Sequence, residues 1–263
     1  MPELAEVEYY RKQWDAGLRQ KIVFVQVHAR KRIFRGTDTR ALVRQLSGAR
    51  LLESVARGKQ MLFRCSGDNS LGIHLGMSGT LRTEPPDFRA GKHDHLVLRQ
   101  AKQALVFRDP RQFGRVRFHH GKDDPPWWSA APEISSAQFT VKYVAAFLER
   151  HGRVSIKGAL LMQSGFPGIG NWMADEILWR AKIAPGQRAG KLTAAARTML
   201  RRETRFVSRA ALRIIGHDNS DLPDSWLIHQ RWSAKGTCPI HGIELKRATI
   251  GGRTTAWCPR CQS

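Results

Sequence analysis

The sequence predicts a multidomain α+β protein: a β-sandwich (or barrel) first, then a helical region, then a short β tail built on metal ligands. Three observations carry this. Short apolar runs separated by polar or turn residues fill positions 22 to 120 with no helical pattern between them. Three- and four-residue spacing dominates from about 137 to 214. Three of the four cysteines stand at 238, 258 and 261. The implied division is 1–121 for the sandwich, 122–136 for a linker, 137–229 for the helical domain and 230–263 for the tail.

Taken in order, the opening reads as a short helix, with Leu4, Val7, Tyr10 (or Arg11), Trp14 and Leu18 at helical spacing. Pro2 and Glu3 stand at its start, where proline and a carboxylate both belong. Strand candidates are Ile22–Val27, His95–Leu98, Ala104–Phe107 and Phe113–His119, the last with Arg115 and Arg117 alternating against Val116 and Phe118. Pro, Asp, Gly and Ser cluster at 121–135, so the chain changes character there, and Trp127 and Trp128 are placed to dock that linker. Leu192, Ala196, Leu200 and Phe206 suit a long amphipathic helix. Two shorter helices, about 155–163 and 171–181, flank the glycine-rich turn Ser164–Gly170.

Charge narrows the function classes. Lys plus Arg is 44 against 22 Asp plus Glu, a net +22 in 263 residues, and the pI is about 11.0. Such self-repulsion points to a polyanionic partner, with nucleic acid the default. No run of about eighteen apolar residues is present, which excludes a membrane-spanning helix. The acidic start M-P-E-L-A-E-V-E is unlike a secretory signal, so an intracellular protein is expected. No basic amphipathic anchor for a membrane surface stands out.

The tail reads Cys238-Pro-Ile-His241, sixteen residues, then Cys258-Pro-Arg-Cys261. Two close pairs of soft or borderline donors match one tetrahedral structural Zn2+, with no position left open for catalysis. Cys65, outside the set, reads as a buried thiol. Gly251-Gly252 between the pairs favours a tight hairpin turn, with Arg253 beside it for a phosphate contact or as a solvated turn residue. The turn Gly165–Asn171 opens a helix whose free N–H groups suit a phosphate, and Asn171 can cap that helix or donate to the phosphate. Removal of Met1 ahead of a small Pro2 is expected. It would leave a secondary amine with an ordinary pKa of roughly 7.7–8.0, able to attack an aldehyde-type carbon more readily than lysine. Glu3 and Glu6, three apart, share the helix face near that amine. Pro and Glu at a helix start are equally what any helix uses, so these residues alone leave catalysis open.

Taken together and in order, these motifs resemble the formamidopyrimidine-DNA glycosylase and endonuclease VIII family across nearly the whole chain. M-P-E-L-A-E-V-E is similar to its amino terminus and Arg57-Gly58-Lys59 to its strand-loop lysine motif. His74-Leu-Gly-Met77-Ser-Gly79 and Asp109-Pro-Arg111-Gln112-Phe113-Gly114 resemble its two intercalation-loop motifs. Ile169-Gly170-Asn171-Trp172 with Asp175-Glu176-Ile177-Leu178 resembles its helix–two-turn–helix, and Gly252-Arg253-Thr254 with the terminal Cys-Pro-Arg-Cys-Gln its zinc finger.

The resemblance implies a bifunctional DNA glycosylase and abasic-site lyase of base excision repair. It would act on oxidised or ring-opened purines in damaged double-stranded DNA, as a monomer, in the cytoplasm or nucleoid. Pro2 would be the nucleophile at the sugar C1′, forming a Schiff base that proceeds to β,δ-elimination. Glu3 would be the general acid/base and Glu6 a support. Lys59, His74, Asn171 and Arg253 would bind phosphates, Lys59 close to the chemistry, and Lys157 would lie near the lesion pocket. Met77, Arg111 and Phe113 would fill the space of the extruded base, with Arg111 facing its orphan partner. The DNA would occupy a basic cleft. Some residues depart from the common bacterial pattern: Ala5, Gln112, His241, and the segments around Gly170, Trp226 and Gly251, which are similar to the plant and fungal branch. Gly216–Arg231 is short for a lesion-covering loop, which favours formamidopyrimidines and hydantoins over 8-oxoguanine. The alternatives are an endonuclease VIII-like glycosylase for oxidised pyrimidines, and a non-catalytic damaged-DNA-binding relative.

Overall fold

The short apolar runs between residues 22 and 120 form two four-stranded antiparallel sheets in the computed structural model, which describes residues 1–128 and 131–262. One sheet has the order β1 (Ile22–Val27), β6 (Asp94–Gln100), β7 (Ala104–Arg108), β5 (Thr80–Glu84). The other runs β2 (Leu51–Arg57), β3 (Gln60–Cys65), β4 (Asn69–His74), β8 (Arg115–His120). Their inward residues share one core that includes Phe63, Leu71, Ile73, Leu96, Leu98, Phe107 and Val116. Register places Gln60 opposite His74, and His74 opposite Arg115, at one end of the second sheet. The β2–β3 turn is only Gly58-Lys59, with Gly58 at φ 58°, and it lifts Lys59 to that same end. Cys65 is buried in this core, and burial pushes its thiol up to about 12.

Two expectations for this half are corrected. A helix, α2 (Thr39–Leu46), interrupts the strands. The Asp38 carboxylate accepts from Arg40 and Ala41 N–H at 2.9 Å each, and Leu42 and Leu46 bury one face. The opening helix α1 (Leu4–Lys12) stops before Trp14. Hydrogen bonds tighten to three-residue spacing at Gln13 and Trp14, and Trp14 turns into the core against Phe63.

The chain divides into two units: Met1–Pro2 with Glu6 to Trp128, and Glu3–Ala5 with Ala131 to Gln262. The second unit packs α3 (Val141–Arg150), α4 (Ile156–Leu161), α5 (Asn171–Ala181) and α6 (Ala194–Asp218) around one core. Thr140, Ser155 and Thr193 cap α3, α4 and α6 with their side chains. Leu192 precedes α6. The buried stripe runs through Leu200, Val207, Ala211 and Ile215, so Phe206 falls on the exposed face, where it stacks on Trp226. Asn219, at φ 63°, ends α6. A short α7 (Ile228–Arg231) leads to the hairpin β9 (Lys246–Ile250) and β10 (Arg253–Trp257), closed by Gly251 and Gly252 at φ 60° and 73°. No helix among the described residues is long and apolar enough to cross a membrane.

Candidate nucleic-acid interface and metal centre

Pro2 is half-buried, and the residue after it is anchored firmly. The Glu3 carboxylate, 2% exposed, accepts from Gly170 N–H at 2.8 Å, Trp172 N–H at 3.0 Å and Met173 N–H at 3.2 Å. A carboxylate here satisfies the orphan donors of α5 and meets the positive end of its dipole. A Cβ on Gly170 would come within 2.2 Å of the Glu3 side chain, so the close approach requires glycine. This corrects the expectation that the α5 amides are open to a phosphate: Glu3 holds them. Gly170, not Asn171, is the N-cap residue. The Asn171 side chain instead donates to the Thr254 carbonyl at 3.0 Å, which places Asn171 beside Arg253 at the hairpin. Glu6 lies two residues further along α1 than Leu4 and is half-buried.

Two loops of the first unit, around Met77 and Phe113, are stapled by a buried carboxylate whose role no local spacing reveals. Asp109, 0% exposed, accepts from Gly114 N–H (2.7 Å), Ser78 hydroxyl (2.7 Å) and Arg111 N–H (3.3 Å). Gly76 lies so close to the Phe113 backbone that a Cβ would sit 2.4 Å away. The outcome is a projecting corner. Met77 and Phe113 are 40% and 43% exposed, and the Arg111 guanidinium covers the Phe113 ring at 4.9 Å. Large apolar side chains held outward on braced loops are suited to insertion, and neither residue belongs to the core.

Lys59 is buried to 8% exposure near His74. Burial, and then the neighbouring charges of Lys59, Arg117 and Arg35, hold the His74 imidazole down to about 4. Its Nδ1 accepts Gly76 N–H at 3.0 Å, so the neutral ring carries its proton on Nε2. His74 is therefore a neutral hydrogen-bond donor beside fixed cations, suited to a phosphate oxygen at any pH above about 5.

Lys157 departs from expectation. Its side chain has no exposed surface. The ammonium donates to Asp175 Oδ1 at 2.5 Å and to the Asn171 carbonyl at 2.7 Å. Arg231 grips Asp175 Oδ2 with Nε at 3.0 Å and Nη2 at 2.6 Å, and also reaches the Thr254 carbonyl at 3.2 Å. Lys157 is neither solvated nor available to a DNA phosphate in this arrangement. It helps tie α4, α5, α7 and β10 together at the base of the hairpin. A lysine two residues after the Ser155 cap gives no sequence signal of this, because its partner lies in the next helix.

Cys238, His241, Cys258 and Cys261 converge, with all ligand atoms within 4.8 Å of one another. His241 Nδ1 lies 3.5 Å from both Cys238 and Cys258 sulfurs. A tetrahedral ion with metal–sulfur bonds of about 2.3 Å and metal–nitrogen bonds of about 2.0–2.1 Å sets that edge at roughly 3.6 Å. The donor set and its spacing fit a metal ion, and Trp179 N–H donates to the Cys238 sulfur from behind at 3.4 Å.

A carboxylate-anchored Pro-Glu head, a projecting apolar corner, a helix pair around a glycine turn and a Cys/His hairpin, in a chain of net charge +22, fit the class of DNA-binding repair proteins. Residues 1–116 match the family model described as the formamidopyrimidine-DNA glycosylase N-terminal domain, and residues 130–221 the formamidopyrimidine-DNA glycosylase H2TH domain. The chain is 34% identical to a formamidopyrimidine-DNA glycosylase of Xanthomonas euvesicatoria pv. vesicatoria, with both chains covered in full. It is also 34% identical to the one from Thermus thermophilus, covering 100% of this chain and 98% of the relative. Among solved structures it resembles the wild-type Lactococcus lactis Fpg (MutM) in complex with oxidised-pyrimidine DNA, at TM-score 0.90 and 27% identity. It resembles a MutM bound to carbocyclic 8-oxo-G DNA equally well, at 0.90 and 27%, and each comparison covers the whole of both chains. This chain belongs to the formamidopyrimidine-DNA glycosylase family.

Proposed function

We propose that the protein is a bifunctional DNA glycosylase and abasic-site lyase of base excision repair, removing oxidised or ring-opened purines from double-stranded DNA. The observation that carries this reading is the Pro2–Glu3 pair, in which a half-buried proline precedes a carboxylate fixed by three backbone amides. Once Met1 is removed, the Pro2 amine attacks C1′ of the damaged nucleotide, and the base departs with the bonding electrons. Glu3 gives a proton to O4′ as the C1′–O4′ bond breaks, which opens the sugar and leaves an iminium between C1′ and Pro2. The resulting iminium acidifies the adjacent sugar carbon and permits β,δ-elimination, which leaves a one-nucleotide gap with phosphate at both ends. Glu6 supports the amino-terminal helix. Lys59, His74, Asn171 and Arg253 bind phosphates. Met77, Arg111 and Phe113 occupy the place of the extruded base, with Arg111 at the orphan base, because chemistry on a base requires it out of the stack.

One zinc ion bound by Cys238, His241, Cys258 and Cys261 plays a structural part, setting the hairpin that carries Arg253. The division at 1–121, 122–136, 137–229 and 230–263 is the working domain scheme, and the protein acts as an intracellular monomer.

Borohydride trapping on an abasic-site duplex tests the reading, with the processed amino terminus verified by intact mass. A covalent protein–DNA band that Pro2→Gly loses or weakens is the expected result. No band from correctly processed protein would leave a DNA-binding relative without catalysis. The Lactococcus lactis protein similar to this one was crystallised on oxidised-pyrimidine DNA, so the same assay on a lesion panel separates purine from pyrimidine preference.

A further inference from the structure

The outer face of the β2-β3-β4-β8 sheet holds a group of cations that the catalytic reading does not use. The two-residue alternation of β8 sends Arg115 and Arg117 to this face, away from Val116 in the core. Both line one depression of about 230 Å³ together with Arg35, His74, Gln60 and Trp127. Its floor is built. Trp127 lies over Gly72, where a Cβ would come within 2.3 Å of the ring, and the Arg117 guanidinium covers the same ring at 5.5 Å.

The three arginines have no carboxylate partner among the described residues. Arg35 donates to the carbonyls of Gly114 (2.8 Å) and Arg32 (3.2 Å), Arg115 to the Arg35 carbonyl (3.5 Å), and Arg117 to the Gln60 side-chain oxygen (3.5 Å). Arg115 Nε is buried and makes no hydrogen bond among the described residues. Burial, then Arg115 and Arg32, lower Arg35. Burial, then Arg115 and Arg35, lower Arg117. Like charges held together over neutral acceptors cost stability in the free protein, and an anion seated among them removes that cost. The planar guanidinium forks suit phosphate oxygens.

We propose that Arg35, Arg115 and Arg117, over the Trp127 floor, form a further phosphate subsite beside His74 that takes one more phosphodiester of the bound DNA duplex. This rests on the DNA-binding part of the proposed function. The neutral His74 Nε2–H and the three guanidinium groups then make a continuous track of donors, in which the histidine adds direction and the arginines add charge.

The test compares wild type with Arg115→Gln/Arg117→Gln on a duplex carrying a tetrahydrofuran abasic analogue, which cannot be processed through an imine. The expected result is binding about tenfold weaker and a slope of log affinity against log salt shallower by about 0.9. The melting temperature of the free variant stays equal to or above that of wild type, because repulsion has been relieved. A structural role predicts the reverse, a lower melting temperature, and that result overturns the proposal, as does an unchanged salt slope. Single neutral methylphosphonate linkages walked along both strands give an independent readout. One linkage should weaken wild type and leave the variant unaffected; if no linkage distinguishes them, the subsite does not exist. Wild type that fails to bind the duplex at all would instead refute the glycosylase reading itself.

Discussion

In the second unit Lys157, Arg231 and Arg180 each meet a buried carboxylate, whereas in the first Arg35, Arg115 and Arg117 meet none among the described residues. The carboxylates Asp175 and Glu176 are both closed off from solvent. Lys157 and Arg231, both held by Asp175, are internal parts, desolvated once during folding and offset by hydrogen bonds from several elements, while Arg180 on Glu176 keeps part of its side chain at the surface. The arginines of the sheet face keep their charge uncompensated at a depression open to solvent. The difference teaches where to look for ligand contacts in a chain of net charge +22. A basic residue that has found its own anion is spent on the fold. One placed among other cations, over carbonyls and an aromatic ring, is reserved for something negative.

The largest expected effect comes from taking away the metal that the Cys/His cluster is suited to hold. Binding at such sites is worth roughly 10 kcal/mol or more in isolated zinc modules. Chelation, or Cys258→Ser, should melt the hairpin and abolish binding to an abasic-analogue duplex, read by circular dichroism and fluorescence anisotropy. Binding that survives complete metal removal would sink the structural role.

Next is Asp175→Ala, which strands Lys157 and Arg231 as two buried cations. A loss of about 3–5 kcal/mol in denaturant unfolding is expected. A loss below about 1 kcal/mol would mean that the cations reach solvent easily, and the contrast drawn above would fail. No comparable loss is expected for the sheet-face arginines.

The contrast also has a pH signature. Burial, against the pull of Arg180, raises Glu176 from the ordinary 4.5 to about 7. A carboxyl raised in the folded state contributes stability that is full below pH 4.5 and is lost as pH rises through about 7. His74 is a base depressed from 6.5 to about 4, so its contribution is present above pH 6.5 and is lost as pH falls toward 4. Relative to wild type, Glu176→Gln should therefore gain on the order of 1–3 kcal/mol of stability as pH rises from 4.5 to 7. A pH–stability curve parallel to wild type over that range would show that Glu176 is not held protonated.

The smallest effect on folding is expected at the projecting corner. Phe113 is 43% exposed, so Phe113→Ala should change stability by no more than about 0.5 kcal/mol. The same variant should bind an abasic-analogue duplex several-fold more weakly while its affinity for undamaged duplex is preserved. Equal losses on both duplexes would remove the insertion role.

Much of this was legible in the sequence because the relevant spacing is local. The Cys-x2-His and Cys-x2-Cys pairs bring their donors together within single turns, and the glycine pair at 251–252 closes the hairpin between them. Short bounded apolar runs marked β1, β6 and β7, and period-two alternation marked β8. The α2 helix was missed although Asp38, Leu42 and Leu46 offered a cap and an apolar face, because one short turn-rich segment between strands competes weakly with its surroundings. The Leu192–Phe206 reading of α6 put the wrong residue on the buried face, since helical spacing gives a stripe but not which of two adjacent stripes meets the core.

The sequence by itself therefore determined the pieces whose signals lie a few residues apart: the Cys/His donor set, the short strand runs, the hairpin turn and the Pro-Glu start. The tertiary structure decided which groups are left over for a ligand. It gave the α5 amides to Glu3 rather than to a phosphate, enclosed Lys157 against Asp175, and set Asp109 between the loops that carry Met77 and Phe113. Hydrogen bonds and ion pairs are decided by proximity in space. The bond that Gly170 N–H donates to Glu3 joins residues 167 positions apart, and no periodicity in a chain records which distant surfaces will be buried together.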